Sequence, residues 1–296
     1  MEQVSIFLLL LAVFGVAGKH CTPETATTRQ EWTHINYTTR VHADALLLPW
    51  HRHLLFLWEQ TLQQECGYTG NVPYWDWTVS VSNISDSPVF DGSATSLSGN
   101  GADEPSTERG SGGGCVVSGP FKDYQVHLGP FNHSNAQPHK PPPLHAFDYN
   151  PRCLQRNFNH AMLEEYNNRT VLDGMLQATT IVEFLSYMDP GHEDVIGAHG
   201  SGHRAVGGAM SDVYSSPQDP SFMLHHAMID RMWTLWQLQD MGHRRNALNG
   251  TSVMYNPPDA PLVNPDSMIE FGVLDRPRRV KELMDPMEYD YCYKYH

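Results

Sequence analysis

His199 and His203 stand four residues apart, so on a helix they share one face, one turn from each other. Further along, Asp219-Pro220 opens a second helix, with Asp as N-cap and Pro at the first helical position. That helix carries His226 a little under two turns in, and Asp230 one turn later. Two imidazoles from one helix and a third from another form a trigonal nitrogen site with an open position. A second group, His34, His42 and His51, lies in the first half of the chain. Two groups of three neutral nitrogens suggest two metal ions, and imidazole suits copper, zinc, iron and nickel. A zinc hydrolase built on H-E-x-x-H would need Glu where Gly200 stands. The E-x-x-H motif of di-iron bundles is absent at these histidines. All-nitrogen, thiolate-free ligation leans towards a copper pair that handles oxygen.

The elements that must position these rings are mostly helical. His51 sits in the first turn of a helix that starts at Pro49 and Trp50, runs to about Gln64 and is stopped by Gly67. Leu54, Leu55, Leu57, Trp58 and Leu62 give it a broad apolar face. His42 precedes it on another element, and His53 points to another face, so His53 receives no role. Lys19 to Glu31 is polar and reads as an N-terminal arm. Gly67–Thr78 reads as a packed loop or short strand, with Tyr74, Trp75 and Trp77 in the core. Residues 80–151 are rich in Gly, Ser and Pro, and read as one long irregular segment. Its His127, His133, His139 and His145 lack helical spacing and are taken as surface residues. Helical character returns from Asn157 to about Tyr187, and short strand-like pieces follow Gly242. The fold class is mainly α: a central antiparallel helix bundle with long irregular loops and a few short strands.

With 296 residues the chain has ample core for one large domain or two small ones. A net charge of −14, with histidine neutral, disfavours nucleic acid and anionic membrane surfaces as partners. Seventeen histidines are far above ordinary usage and form no tag-like run. Residues 1–18 read as a secretory signal, because the apolar run from Val4 to Val16 is too short to span a bilayer comfortably and small residues follow it. Its polar start carries Glu2 and no Lys or Arg, which departs from the usual pattern. Residues 19–296 then form a single secreted domain with no membrane attachment. Sequons at Asn36, Asn83, Asn132, Asn168 and Asn249 agree with secretion. Asn36 lies beside His34, so burial of that histidine would leave the sequon unused. Cys21, Cys66, Cys115, Cys153 and Cys292 form no CxxC motif, and suggest two disulfides with one cysteine left over.

The sequence resembles the tyrosinase / catechol oxidase family of type 3 copper proteins, particularly its short secreted fungal members. The first copper segment is similar in THIN (His34), RVH (His42) and PWHRHLLFLWEQ (His51). The second is similar in AHGSGH (His199, His203) and DPSFMLHHAMIDRMWTLWQ, where the family's ligand is the histidine four before the Asp. The resemblance therefore implies His226 as ligand, and not His225. PYWDWT, Val206–Met210, SPQDP and the closing CYKY also match, and the likeness runs from about residue 33 to the C-terminus. It implies that the bundle holds two copper ions, which use O₂ to oxidise o-diphenols to o-quinones with water as the other product. Monophenol hydroxylation is an added ability of some members. It would need a base near the metals, and Glu193 and Asp194 are candidates by position. Asp230 is expected to orient a neighbouring group, the alternative being a surface ion pair with Arg231 or Arg204. Gly200 leaves room above the second copper, and Arg204 faces either an acidic substrate or solvent.

Three departures from the family pattern stand out. Arg40 occupies the position of a cysteine that some members cross-link to the second ligand, so no thioether is expected. No shielding C-terminal domain is expected after CYKYH. Cys21 and RQEW (Arg29–Trp32) run straight into THIN, where the family has a helical stretch with a further cysteine. We attribute this deletion at Trp32–Thr33 to a skipped exon or a faulty gene model. It sets up the alternative function: a non-catalytic or copper-deficient member that only binds oxygen, or a pseudoenzyme.

Overall fold

The computed structural model of the chain describes residues 23–104, 110–131, 147–192 and 195–295. The expected signal 1–18, Cys21, Asn132, His133, His139, His145, Glu193 and Asp194 lie outside those residues.

The polar stretch expected as an arm is helical. Helix α1, Pro23–Tyr37, runs through Trp32–Thr33 without a break. Helix α2, Leu47–Cys66, starts two residues before the expected Pro49. It ends as expected at Gly67, whose φ of 70° lets its N–H reach the Leu62 carbonyl. The expected helical region after Asn157 is three helices: α3 (His160–Tyr166), α4 (Arg169–Gln177) and α5 (Ile181–Met188). The breaks fall where side chains offer better local bonds than the helix does. Asn168 caps α4 by accepting from the Val171 N–H, and Thr180 caps α5 by accepting from the Glu183 N–H.

Helix α6, Ala198–Val206, and helix α7, Ser221–Leu238, complete the bundle. Helix α7 starts one residue later than expected, with Pro220 at its N-cap, and the Asp219 carboxylate just before it accepts from the Ser221 N–H at 2.9 Å. The same carboxylate binds the buried Arg156 through two bonds of 2.7 and 2.8 Å. Arg156 also donates to the carbonyls of Ser98 and Gly99, so the long irregular segment is tied to the start of α7. Helix α7 packs on α2, with Trp50, Leu54, Trp58, Trp233 and Trp236 in one apolar cluster. Burying such side chains contributes about 1.5–3 kcal/mol each.

The strands are two residues long. β1 (Gly114–Cys115) pairs with β4 (Gln155–Arg156), β2 (Gln125–Val126) with β3 (Arg152–Cys153), and β5 (Met268–Ile269) with β6 (Arg278–Arg279), all antiparallel. A Cys115–Cys153 disulfide fastens the first two pairs together. Cys66 is also disulfide-bonded, and Cys292 is free and exposed. Among the described residues no helix is long and apolar enough to cross a membrane. The fold is therefore a mainly helical bundle with short strands.

Candidate metal centre

His34 hangs from the last turn of α1, His42 from the turn before α2, and His51 from the first turns of α2. Their ring centroids are 4.9 Å apart for His34–His42, 4.9 Å for His42–His51 and 5.8 Å for His34–His51. Each spends Nδ1 on a backbone carbonyl: His34 donates to Tyr214 at 2.7 Å, His42 to Thr38 at 2.8 Å and His51 to Leu47 at 2.8 Å. A carbonyl only accepts, so the proton sits on Nδ1 and Nε2 keeps a bare lone pair. The Nε2 atoms of His34 and His51 are buried and have no partner among the described residues. Left unmet, such groups are costly; a metal ion would satisfy both.

The second set sits opposite. His199 and His203 lie on α6 with centroids 4.9 Å apart, and His226 on α7 lies 5.2 Å from His199 and 5.3 Å from His203. His203 donates Nδ1–H to the Met210 carbonyl at 2.9 Å, which bares Nε2; the His226 Nε2 is 3.2 Å from it. His199 differs: its Nδ1 is 3.6 Å from the Asp189 carboxylate, and its Nε2 is buried without a partner among the described residues. Asp189 also accepts from the Ala43 N–H at 3.3 Å, beside His42. The two sets face each other directly, with His51 stacked on His226 at 4.2 Å and His42 on His199 at 6.0 Å. Phe222, one turn before His226 and fully buried, touches rings of both sets.

Distance alone gives a different second trio: His199, His203 and His225, whose nitrogens lie within 4.8 Å of one another. Hydrogen bonding separates the two candidates. His225 accepts from the Trp77 Nε1–H at 3.2 Å on Nδ1 and donates from Nε2 to the His199 carbonyl at 2.9 Å. With both nitrogens occupied it has no lone pair to give a metal.

Burial holds His34, His42, His51, His203, His225 and His226 neutral. It lowers His42 to about 4, with neighbouring His199 adding to the effect, and lowers His225 to about 3. His34, His51, His203 and His226 are likewise pushed well below the ordinary value by burial first and by adjacent imidazoles second. Neutral imidazole is the form that ligates a metal.

The Asp230 carboxylate is paired with Arg52. The guanidinium donates to Asp230 at 2.6 Å, to Thr234 at 2.9 Å and to the Met284 carbonyl at 2.7 Å, all buried. Tyr293 and Tyr295 donate to the other Asp230 oxygen at 2.6 and 2.7 Å. Pairing with Arg231 or Arg204 is not seen, since Arg231 lies over the Tyr74 ring and Arg204 is exposed. Arg52 follows His51 and Asp230 lies one turn past His226, so this bond pins α2 and α7 together. His53 turns away from the histidine cluster to Tyr291 and Asp275. At Gly200 an added Cβ would meet only Ile196, at 3.8 Å, so the space above the helix there is open.

Sequence reasoning missed Asp189, Arg52 and Phe222. Asp189 lies in a loop whose path the sequence does not give. Arg52 carried a signal: a charged residue inside an apolar helix face needs a buried partner.

Residues 23–239 match the family model for the common central domain of tyrosinase. The chain belongs to the tyrosinase family. It is 48% identical to Tyrosinase P of Aspergillus terreus over 280 residues, covering 88% of this chain and 78% of that protein. It is 46% identical to the N-acetyl-6-hydroxytryptophan oxidase of Emericella nidulans over 289 residues, covering 89% and 79%. The structure of a polyphenol oxidase from Thermothelomyces thermophila is similar with a TM-score of 0.87 at 30% identity, covering 98% of this chain and 85% of that one. The chain is thus a tyrosinase-family copper oxidoreductase with two histidine trios able to hold two copper ions. The family uses O₂ and phenolic substrates.

Proposed function

We propose that the protein oxidises o-diphenols to o-quinones, with His34, His42 and His51 holding one copper and His199, His203 and His226 the other. The observation that carries this is the shared orientation of the rings. Four of the six give Nδ1–H to a backbone carbonyl, and the two trios face each other across stacked pairs. When bound, the copper pair supplies the redox chemistry that passes electrons from the phenol to O₂. The chain itself does three things. Backbone carbonyls fix the imidazole tautomers. Asp189 orients His199 from the side away from the metal. Phe222 and the bundle keep bulk water from the ring cluster.

The relatives support phenol-type substrates in general, and one carries a hydroxylated tryptophan derivative in its name, so the physiological substrate is an aromatic hydroxyl compound. We propose secretion, with a signal at residues 1–18 and glycans on exposed sequons such as Asn249; Asn36 is exposed too, although its neighbour His34 is buried, so the expected loss of that sequon does not follow. The test is oxygen uptake and quinone formation by copper-loaded protein, first with catechol and then with tyrosine, alongside metal analysis. Two coppers per chain with quinone from catechol support the proposal. Quinone from tyrosine adds monophenol activity. Copper without oxygen uptake contradicts it.

A second reading is a copper-deficient member with a poorly formed first site. It is favoured by buried polar atoms of Gln30, Glu31 and Thr33, just before and after the Trp32–Thr33 junction, that have no hydrogen-bond partner among the described residues. One copper per chain and no oxygen uptake would support it.

A further inference from the structure

Four imidazoles crowd the second half of the centre, one more than a three-nitrogen site uses. His225 is the extra one. Its Nδ1 accepts from the Trp77 indole at 3.2 Å, which places the proton on Nε2. That proton goes to the His199 carbonyl at 2.9 Å. A carbonyl has two lone pairs, so it can serve the helix and the imidazole together. The ring also packs tightly against α6. An added Cβ at Gly202 would sit 2.1 Å from the His225 Cε1 and 2.6 Å from its Nδ1. The ring is parallel to His199 within 9°, at 6.0 Å, and edge-on to His203 at 4.7 Å. Both ligands on α6 are therefore touched by one side chain that has no lone pair to spare.

We propose that His225 is a positioning residue of the second copper site: held in its Nε2–H tautomer by Trp77, it sets the rotation of α6 through the His199 carbonyl and the bare backbone of Gly202. The rotation of α6 decides where the His199 and His203 nitrogens point. Trp77 thereby acts on the metal through two hydrogen bonds, from a segment remote from both ligand helices in sequence. The proposal rests on the reading that His226 is the third ligand.

The test compares His225→Phe, His225→Gln, Trp77→Phe and His226→Gln with the unaltered chain, each loaded with copper and challenged with a competing chelator. Copper per chain is followed with time, and the thermal stability of each metal-free protein is measured separately. Outer-shell partners of metal-bound histidines are worth about 10–100-fold in metal affinity. His225→Phe is expected to weaken one of the two coppers by that factor and leave the other unchanged. His225→Gln, whose amide can still donate to the His199 carbonyl, should recover most of the loss. Trp77→Phe should fall between the two. His226→Gln should bind one copper only. Release from His225→Phe at the rate of the unaltered chain overturns the positioning role while leaving the His226 assignment intact. Loss matched by an equal fall in metal-free stability, with no rescue by Gln, also overturns it. If both His225 variants lose one copper outright while His226→Gln keeps two, His225 is itself the ligand, and both readings fail.

Discussion

The two halves of the metal centre have similar rings and very different supports. Around the second trio several buried polar groups are matched, although the His226 Nδ1, Arg231 Nε and Trp233 Nε1 atoms on α7 have no partner among the described residues. Asn167 donates to the Ala198 carbonyl, and Ser201 bonds to Asn167. His225 joins Trp77 to α6, and Asp219 satisfies both Arg156 and the start of α7. Around the first trio, α1 buries Gln30, Glu31 and Thr33 with polar atoms that have no partner among the described residues. Each such atom costs about 1–3 kcal/mol relative to a paired one. Ligand geometry therefore does not report how firmly a site is held. The first trio hangs partly from α1, whose buried Gln30, Glu31 and Thr33 carry these unmatched atoms on either side of Trp32. We infer that the first copper is the weaker of the two.

The largest expected effect comes from removing the joint between the halves. Asp230→Ala leaves the Arg52 guanidinium buried without its carboxylate, which costs about 3–5 kcal/mol. Denaturant unfolding should show that loss, and copper should become easier to remove from both sites. Loss at only one site would mean that the halves are held independently.

Glu31→Gln should act in the opposite direction. Burial pushes the Glu31 carboxyl from its ordinary 4.5 up to about 9, against the pull of Arg152. The folded chain keeps this proton up to about pH 9, and the unfolded chain releases it above about pH 4.5. Glu31 therefore subtracts stability progressively as pH rises between those values. The substitution should raise metal-free stability at pH 7 by up to about 3 kcal/mol. The gain should vanish near the ordinary 4.5. A gain that is the same at both pH values would point to packing instead of charge.

Gly202→Ala forces a methyl into the His225 ring, and overpacking of this kind costs about 1–3 kcal/mol. Copper at the second site should weaken while the first is spared, which chelator release can distinguish. The smallest effect is Thr33→Val, which removes an unpaired hydroxyl at constant shape. A rise of about 1 kcal/mol in thermal unfolding experiments is expected. A fall would show that Thr33 has a partner, and the contrast between the halves would shrink.

Much of the second half was legible in the sequence because its signals are local. His199 and His203 share a helical face, Asp219-Pro220 starts α7, and Gly67 ends α2 where expected. The helical α1 was not legible, because Lys19 to Glu31 lacks an apolar stripe and its helix is set by packing against the rest of the fold. Asp189 and the Arg52–Asp230–Tyr293–Tyr295 cluster join residues far apart in the chain, and no spacing rule reaches across such distances. His225 and His226 are neighbours of identical type. Motif resemblance chose between them, and the hydrogen bonds of His225 give an independent reason for the same choice.

The most direct test of the contrast is copper content per chain during graded chelation of the loaded protein, compared with His226→Gln treated in the same way. The account predicts two coppers per chain that leave in two steps, with the later step missing in His226→Gln. Loss of both coppers in a single step, or a His226→Gln protein that lacks the earlier step, would contradict it.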